Sequence, residues 1–372
     1  MRILIATGIY PPDIGGPSTY SKELAGELIR EGHTVTVVTY GEKNELGLVA
    51  VSRKVPKGIR HFIYFLKVLR NAIHTDIIYA QDPVSVGLPA SFAARLLHRK
   101  FVVRIAGDYA WEQGVGRFCV KELLDEFLKL RYGLRVEVLR WCQRFVARSA
   151  DLVIVPSEYL KGVVLQWGLK NKNIEVVFSV VERGGEISKV GARKSLGLDG
   201  RVFVTAGRLV SWKGFKMLIE LMPKFSPARL IIIGDGPERS ALEALRDRLK
   251  LSNSVLLLGA VSKEVLAQYV TAADVFLLNT GYEGYSHQLL ESMAIGTPVI
   301  TTNAGGNKEL VEDNTNALIA EYNNLSEWEA QIKKILNDDV FAKKISQEAR
   351  RQVEGHTFED MTKKLTTIFK QL

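Results

Sequence analysis

The chain has 372 residues, 47% hydrophobic and 24% charged; this is the balance of a soluble globular protein and too long for one ordinary core, so two domains are expected. Its net charge is +9, and residues 1–182 hold 25 Lys and Arg against 18 Asp and Glu while the remainder holds 25 against 23; the excess in the first half suits an anionic partner, whether nucleic acid, membrane or substrate. No apolar run approaches bilayer-spanning length, and no basic or apolar leader precedes the first strand, so a cytoplasmic protein is expected.

Residues 2–9 are an apolar run that predicts the first strand. The loop Tyr10-Pro11-Pro12-Asp13-Ile14-Gly15-Gly16-Pro17-Ser18 follows, then a helix over 19–31 ended by Gly32. Residues 34–39 are rich in β-branched side chains and read as the second strand. Further buried-type strands are expected at 76–80, 101–105 and 151–155, with helical pattern between them. In the second half, 202–206, 229–233, 254–258, 274–278 and 298–302 repeat the theme. Short apolar strands alternating with helices imply α/β domains, each with a doubly wound parallel sheet. The boundary falls within 178–196, a polar stretch that contains Glu182-Arg183-Gly184-Gly185 and lacks periodicity. The expected domains are 1–180 and 181–356, with a last helix over 357–372 that comes after the second sheet is complete.

Cys119 and Cys142 lie in basic stretches read as helical and are expected to be reduced thiols. The six histidines are scattered without metal-ligand spacing, and no Asp-x-Asp pair occurs. The missing pair argues against a carboxylate-held divalent ion.

Three strand-to-helix loops carry chemistry. Gly207-Arg208-Leu209-Val210-Ser211-Trp212-Lys213-Gly214 leaves a strand with two cations, an Arg fork and a compact Lys charge suited to phosphate oxygens; surface cations on an ordinary loop would look the same. Gly234-Asp235-Gly236-Pro237 is a glycine turn that permits close backbone approach. Glu283-Gly284-Tyr285-Ser286-His287-Gln288-Leu289-Leu290-Glu291 places two carboxylates around a helix opening, outside the carboxyl end of a strand. Helix-opening amides suit a phosphate, and carboxylates accept from sugar hydroxyls, so one loop can hold a diphosphate between two polyols. The same spacing also fits Glu283 as a helix cap and Glu291 on a solvated face.

Taken in order, these segments resemble the family-4 retaining glycosyltransferases (glycosyl transferases group 1) of the GT-B fold, over nearly the whole chain. The resemblance includes Pro12-Asp13-Ile14-Gly15-Gly16, the Gly207 to Gly214 loop read with one fewer residue than the usual pattern, Gly234-Asp235-Gly236-Pro237 and the paired glutamates. It continues through Ser292-Met293-Ala294-Ile295-Gly296-Thr297-Pro298-Val299-Ile300 and Gly305-Gly306-Asn307-Lys308-Glu309-Leu310-Val311. It implies two Rossmann-like domains facing a cleft, the first binding the acceptor and the second a nucleoside-diphosphate sugar. Arg208 and Lys213 are then expected on the diphosphate, and Glu283 on the transferred sugar. Gly234 and the backbone of Tyr285, Ser286 and His287 are expected on donor sugar and phosphate, Glu291 on the ribose, and Val261 beside the base. Gly15 and Gly16 are expected near the diphosphate, and the last helix crosses back to the first domain. The implied reaction retains anomeric configuration and uses neither metal nor cofactor, a uridine donor being favoured over guanosine.

Two departures stand out. Where many relatives have a His after the strand ending at Ile105, this chain has Ala106, and Asp108 is the candidate replacement, unless it caps the next helix. The usual Glu-Gly-Phe-Gly-Leu-Pro loop is altered, and His287 is a candidate sugar or phosphate contact or else a loop residue satisfied by backbone. Two further stretches, 53–70 and 131–145, mix cations with aromatics. The first fits an amphipathic helix on an anionic leaflet, or a solvated face of a domain helix. With acceptors of the glycan or polyprenyl-linked type, peripheral contact with the inner face of the cell membrane is expected; nucleic acid is not, because no binding motif occurs. The rival readings are a GT-B nucleotide-sugar epimerase and a donor-binding module without catalysis.

Overall fold

The computed structural model describes residues 1–13, 15–181, 188–355 and 357–372. The expected boundary stretch Glu182-Arg183-Gly184-Gly185 lies outside the described residues, as do Ile14 of the first loop and His356. The chain divides into two units: Met1–Ser179 together with Thr357–Leu372, and Val180–His356.

The first unit runs β1 (Arg2–Ala6), α1 (Gly16–Arg30), β2 (Thr34–Tyr40), β3 (Leu48–Val51), α2 (Lys57–Asn71), β4 (Ile77–Ala80), α3 (Gly87–Leu97), β5 (Lys100–Arg104), α4 (Tyr109–Arg117), α5 (Leu124–Phe127), α6 (Leu134–Ser149), β6 (Leu152–Val155), α7 (Glu158–Leu165) and β7 (Ile174–Val176). The second runs α8 (Lys189–Leu196), β8 (Val202–Ala206), α9 (Phe215–Leu221), β9 (Arg229–Ile233), α10 (Arg239–Arg248), β10 (Val255–Gly259), α11 (Lys263–Ala272), β11 (Val275–Leu278), α12 (His287–Ile295), β12 (Val299–Thr301), β13 (Leu318–Ile319), α13 (Leu325–Asn337) and α14 (Asp339–Val353). The last helix, α15 (Phe358–Phe369), returns to the first unit.

Both sheets are parallel, in the orders β3-β2-β1-β4-β5-β6-β7 and β10-β9-β8-β11-β12-β13. Each order reverses once, between β1 and β4 in the first sheet and between β8 and β11 in the second. The strands are near-continuous apolar runs because helices cover both faces. In β8, Phe203 packs with Leu218, Trp328 and Ile332 on one face, and Val204 with Leu289 and Met293 on the other, the alternation that a pleated strand imposes.

Where the elements differ from expectation, local chemistry explains it. Helix α1 starts at Gly16 and not at residue 19, with Pro17 in its first turn; a proline there loses no intrahelical bond. Strands β3, β7 and β13 were not anticipated; they are two to four residues long and each is an outermost strand of its sheet. Cys119 sits in the loop after α4 with a left-handed φ of 57° and not in a helix, whereas Cys142 lies in α6; both thiols are free.

Helix α15 opens on Thr357, whose hydroxyl oxygen accepts from the Asp360 amide at 3.1 Å. Its apolar face carries Phe358, Met361, Leu365 and Phe369 into the first unit, with Phe358 6.3 Å from the Tyr20 ring and Phe369 5.4 Å from the Tyr79 ring. The Thr366 hydroxyl donates to Glu31 at 2.7 Å, and Lys364 Nζ donates to the Val176 carbonyl at 2.9 Å. Leu365 is fully buried, so Leu365→Ala should cost about 2–5 kcal/mol through lost burial and a residual cavity. Urea unfolding of the full chain measures this, and the transition that shifts should be that of the first unit.

Candidate active site

Ligands of open parallel sheets sit outside the carboxyl ends of the strands where the order reverses. In the second unit that point lies between β8 and β11, and the chain leaving these two strands carries Arg208, Lys213 and Glu283.

The loops there meet backbone to backbone. The Leu209 amide donates to the Asp235 carbonyl at 3.0 Å, and the Glu238 amide to the Leu209 carbonyl at 3.0 Å. Gly234 makes this closeness feasible. It has φ 136°, and a Cβ there would lie 1.9 Å from the Gly207 carbonyl oxygen, a separation no side chain tolerates. The turn after β9 therefore seats directly on the loop after β8.

Lys213 Nζ and Glu283 Oε1 form an ion pair across the reversal point, with side chains only 11% and 10% exposed. A pair this enclosed loses much of its hydration, so breaking it from one side strands a buried charge. The Glu283 backbone is fixed as well. Its carbonyl accepts from the Gly306 amide at 2.9 Å, and Gly305, at φ 57°, passes so close that a Cβ would stand 2.1 Å from that oxygen. On the other side, Asn279 is buried and donates from Nδ2 to the Gly214 carbonyl at 3.0 Å and to Asn323 at 2.8 Å. Asn279 thus holds the end of the Lys213 loop, a role the sequence reading did not assign; its signal was a lone amide directly after an apolar strand. Arg208 is exposed, and its guanidinium makes no hydrogen bond or ion pair among the described residues.

Helix α12 is capped by Ser286, whose hydroxyl oxygen accepts from the Leu289 amide at 3.3 Å, so the capping role open to Glu283 belongs to Ser286 instead. Tyr285 and His287 flank the cap and are partly buried; burial, then the Glu309 charge, pushes the Tyr285 phenol up. One turn into α12, the partly buried Glu291 has no hydrogen-bond donor among the described residues. Burial raises its carboxyl above the ordinary 4.5, with Lys263 pulling the other way. Val261 follows β10 and packs, partly buried, on the core. Among the described residues, no three His, Cys, Asp or Glu side chains form a group that could hold a metal ion.

The remaining candidates, Gly15, Gly16 and Asp108, belong to the first unit. Gly15 precedes α1 with φ 151°, its carbonyl accepting from Ser18 and Thr19 at 3.0 and 3.1 Å, and Gly16 is the first helical residue. Asp108 is fully buried and N-caps α4, accepting from the Trp111 amide at 2.9 Å. Burial raises its carboxyl, against the hydrogen bond from the Trp111 amide to Oδ1, and Oδ2 is buried without a hydrogen-bond partner. The capping alternative is therefore the role the structure gives Asp108, and it presents no carboxylate surface to a ligand.

Each half of the chain matches a glycosyltransferase family: Glycosyltransferase Family 4 over residues 14–182 and Glycosyl transferases group 1 over residues 191–352. An uncharacterized glycosyltransferase of Methanocaldococcus jannaschii is 26% identical over all of this chain and 98% of its own length. Alpha-monoglucosyldiacylglycerol synthase of Streptococcus pneumoniae is 27% identical over 81% of this chain and 70% of its own. Anabaena HepE in complex with UDP-glucose superposes with a TM-score of 0.82 at 20% identity, covering all of both chains.

Substitutions at two positions separate structural from binding roles. A carboxyl whose pKa folding raises keeps its proton longer in the native state, so the stability tied to the neutral form is full below 4.5 and lost as pH rises through the raised value. Glu291→Gln cannot ionise; it should melt higher than wild type at neutral pH, and the gap should close on acidification below 4.5. Asp108→Asn keeps a capping oxygen and should keep both fold and turnover, whereas Asp108→Ala should lose about 1 kcal/mol, as thermal melts and turnover assays on the two variants would show.

Proposed function

This chain belongs to the Glycosyl transferases group 1 of the GT-B fold, and we propose that it moves a hexose-type sugar from a nucleoside-diphosphate sugar to a hydroxyl of a glycan or lipid-linked acceptor, with retention and without a metal. The observation that carries this reading is the arrangement at the reversal point of the second sheet: an enclosed Lys213–Glu283 pair, an exposed Arg208 with no partner among the described residues, and a Glu291 carboxyl that lacks donors.

An ammonium has three donors, and Glu283 engages one. Lys213 can therefore offer the others to a diphosphate while staying fixed, and Arg208 adds a planar fork to the same group. As the bond from the anomeric carbon to the diphosphate oxygen breaks, charge grows on that oxygen, and held cations stabilise it. The acceptor hydroxyl attaches from the same face and passes its proton to the departing diphosphate, which balances the exchange and keeps the configuration. Glu283 retains Oε2 for a hydroxyl of the transferred sugar. Glu291 is assigned to the ribose hydroxyls, which supply the donors its carboxylate lacks. Gly234 and the backbone of Tyr285, Ser286 and His287 are assigned to phosphate and sugar, and Val261 to the base. Arg208 and Lys213 supply positive charge of the kind a divalent ion would bring.

Support for the uridine nucleotide comes from HepE, a neighbour in fold that was crystallised with UDP-glucose. Support for a lipid acceptor comes from the Streptococcus relative, a synthase of a glucosylated diacylglycerol. No helix among the described residues is long and apolar enough to cross a membrane, and a lipid-linked acceptor would place the protein at the inner membrane face from the cytoplasmic side.

Arg208→Ala should lower kcat/KM for UDP release from a UDP-hexose by at least about 100-fold. Wild-type turnover should survive excess EDTA, and NMR of the product should show the donor's anomeric configuration. Sugar conversion without any acceptor would instead mark an epimerase, and tight donor binding without turnover a binding module.

A further inference from the structure

Helix α3 ends in a turn that gathers charge. Its cap, His98, takes a left-handed φ of 52°, and the Arg99 amide donates back to the Ala94 carbonyl at 2.9 Å. This turn brings Arg95, His98, Arg99 and Lys100 to the amino end of β5, which pairs with β6. They line a cavity of about 480 Å³ there, walled on its apolar side by Phe92 of α3 and Phe145 of α6. The two rings lie 6.0 Å apart, and Phe145 is stacked on Trp141 at 5.3 Å. All of these residues belong to the first unit. The five residues of β5, roughly 16 Å of extended chain, separate the cavity from the carboxyl edge of that sheet.

Cations near a helix carboxyl end are ordinary, because the carbonyls there attract them. Here they are in excess. Two arginines, a lysine and a histidine face one acid, Asp151. Both of its oxygens are engaged: Oδ1 lies 3.5 Å from Lys100 Nζ, and Oδ2 accepts from the Phe101 amide at 2.8 Å. Arg95 is exposed and makes no hydrogen bond or ion pair among the described residues. Arg99 donates to the Ile73 carbonyl, while its Nε–H is buried with no acceptor. A buried donor left unmade is costly, and an anion in the cavity would relieve it.

The volume is that of a small-molecule site and excludes a macromolecule. An aromatic wall beside guanidinium forks suits a flat ring that carries a phosphate. The serines of the lining are already engaged: Ser91 Oγ donates to the Leu88 carbonyl at 2.8 Å, and Ser149 Oγ to the Val146 carbonyl at 2.9 Å. Neither hydroxyl has a proton left to read the edge of a base, so a ring here is recognised by its face.

We propose that this cavity is a second, non-catalytic site that takes a nucleoside monophosphate, with the phosphate between Arg95 and Arg99 and the base on Phe92, whichever base it is. The inference is independent of the sugar-transfer reading, whose Arg208, Lys213, Glu283 and Glu291 lie in the second unit.

Of the five tryptophans, only Trp141 is exposed; the other four are at most 8% exposed. Stacked on Phe145, it reports on the cavity wall. The full chain is titrated with AMP, GMP, adenosine and inorganic phosphate, and binding is followed by Trp141 emission and by equilibrium dialysis. AMP should change the emission and be retained in dialysis, and GMP should match it. Adenosine and phosphate should each bind at least about ten-fold more weakly, because each makes only half of the contacts. Arg95→Gln, altered at an exposed side chain, should melt like wild type and bind AMP at least about ten-fold more weakly. Trp141→Phe should lose the emission change and still retain AMP. Arg208→Ala, altered in the other unit, should bind AMP as wild type does. No retention of AMP, phosphate binding as tight as AMP, undiminished binding by Arg95→Gln, or binding lost in Arg208→Ala would overturn the proposal.

Discussion

The second unit is organised around one enclosed ion pair at a reversal in strand order. Burying Lys213 and Glu283 together is costly unless both are held in place, and most of the surrounding sequence can be understood as holding them. Asn279 fixes the Gly214 end of one loop, Gly306 fixes the Glu283 carbonyl in the other, and Gly234 seats the β9 turn on Gly207. The glycines are there because backbone must approach backbone, and the amide is there because a buried carbonyl needs a donor. A side chain at Gly305 would displace Glu283 and leave the ammonium opposite it without a counter-charge.

Glu291 shows the complementary situation. Its carboxyl is partly buried without a hydrogen-bond donor among the described residues, and burial disfavours its ionisation; under the proposed function, ribose hydroxyls would supply the donors. Local rules that fail in this way concentrate at binding sites, where stability is given up for recognition.

Much of this architecture was legible in the chain. Strands β8 and β9 fall on the expected residues because their apolar runs are unbroken and end at Gly207 and Gly234. The pairing of Lys213 with Glu283, 70 positions apart, was not legible, since period and propensity say nothing about which loops converge. Strands such as β13, of two residues, are too short to show any period. At Asp108 the helix cap and the missing histidine's neighbour give the same local sequence; only burial tells them apart. Ser286 shows the reverse: a hydroxyl three residues before Leu289 is an ordinary capping signal, obscured here by the acid beside it.

The return of α15 to the first unit has a consequence for biogenesis. The second unit is an insertion in the chain of the first, so a ribosome delivers Val180–His356 before the residues that complete the earlier fold. Until Phe358 and Phe369 emerge, the surface around Tyr20 and Tyr79 lacks its cover. The amino-terminal half is thus the last to mature, and a stalled or prematurely ended nascent chain would release a finished second unit tethered to an unfinished first one, a natural client for chaperones.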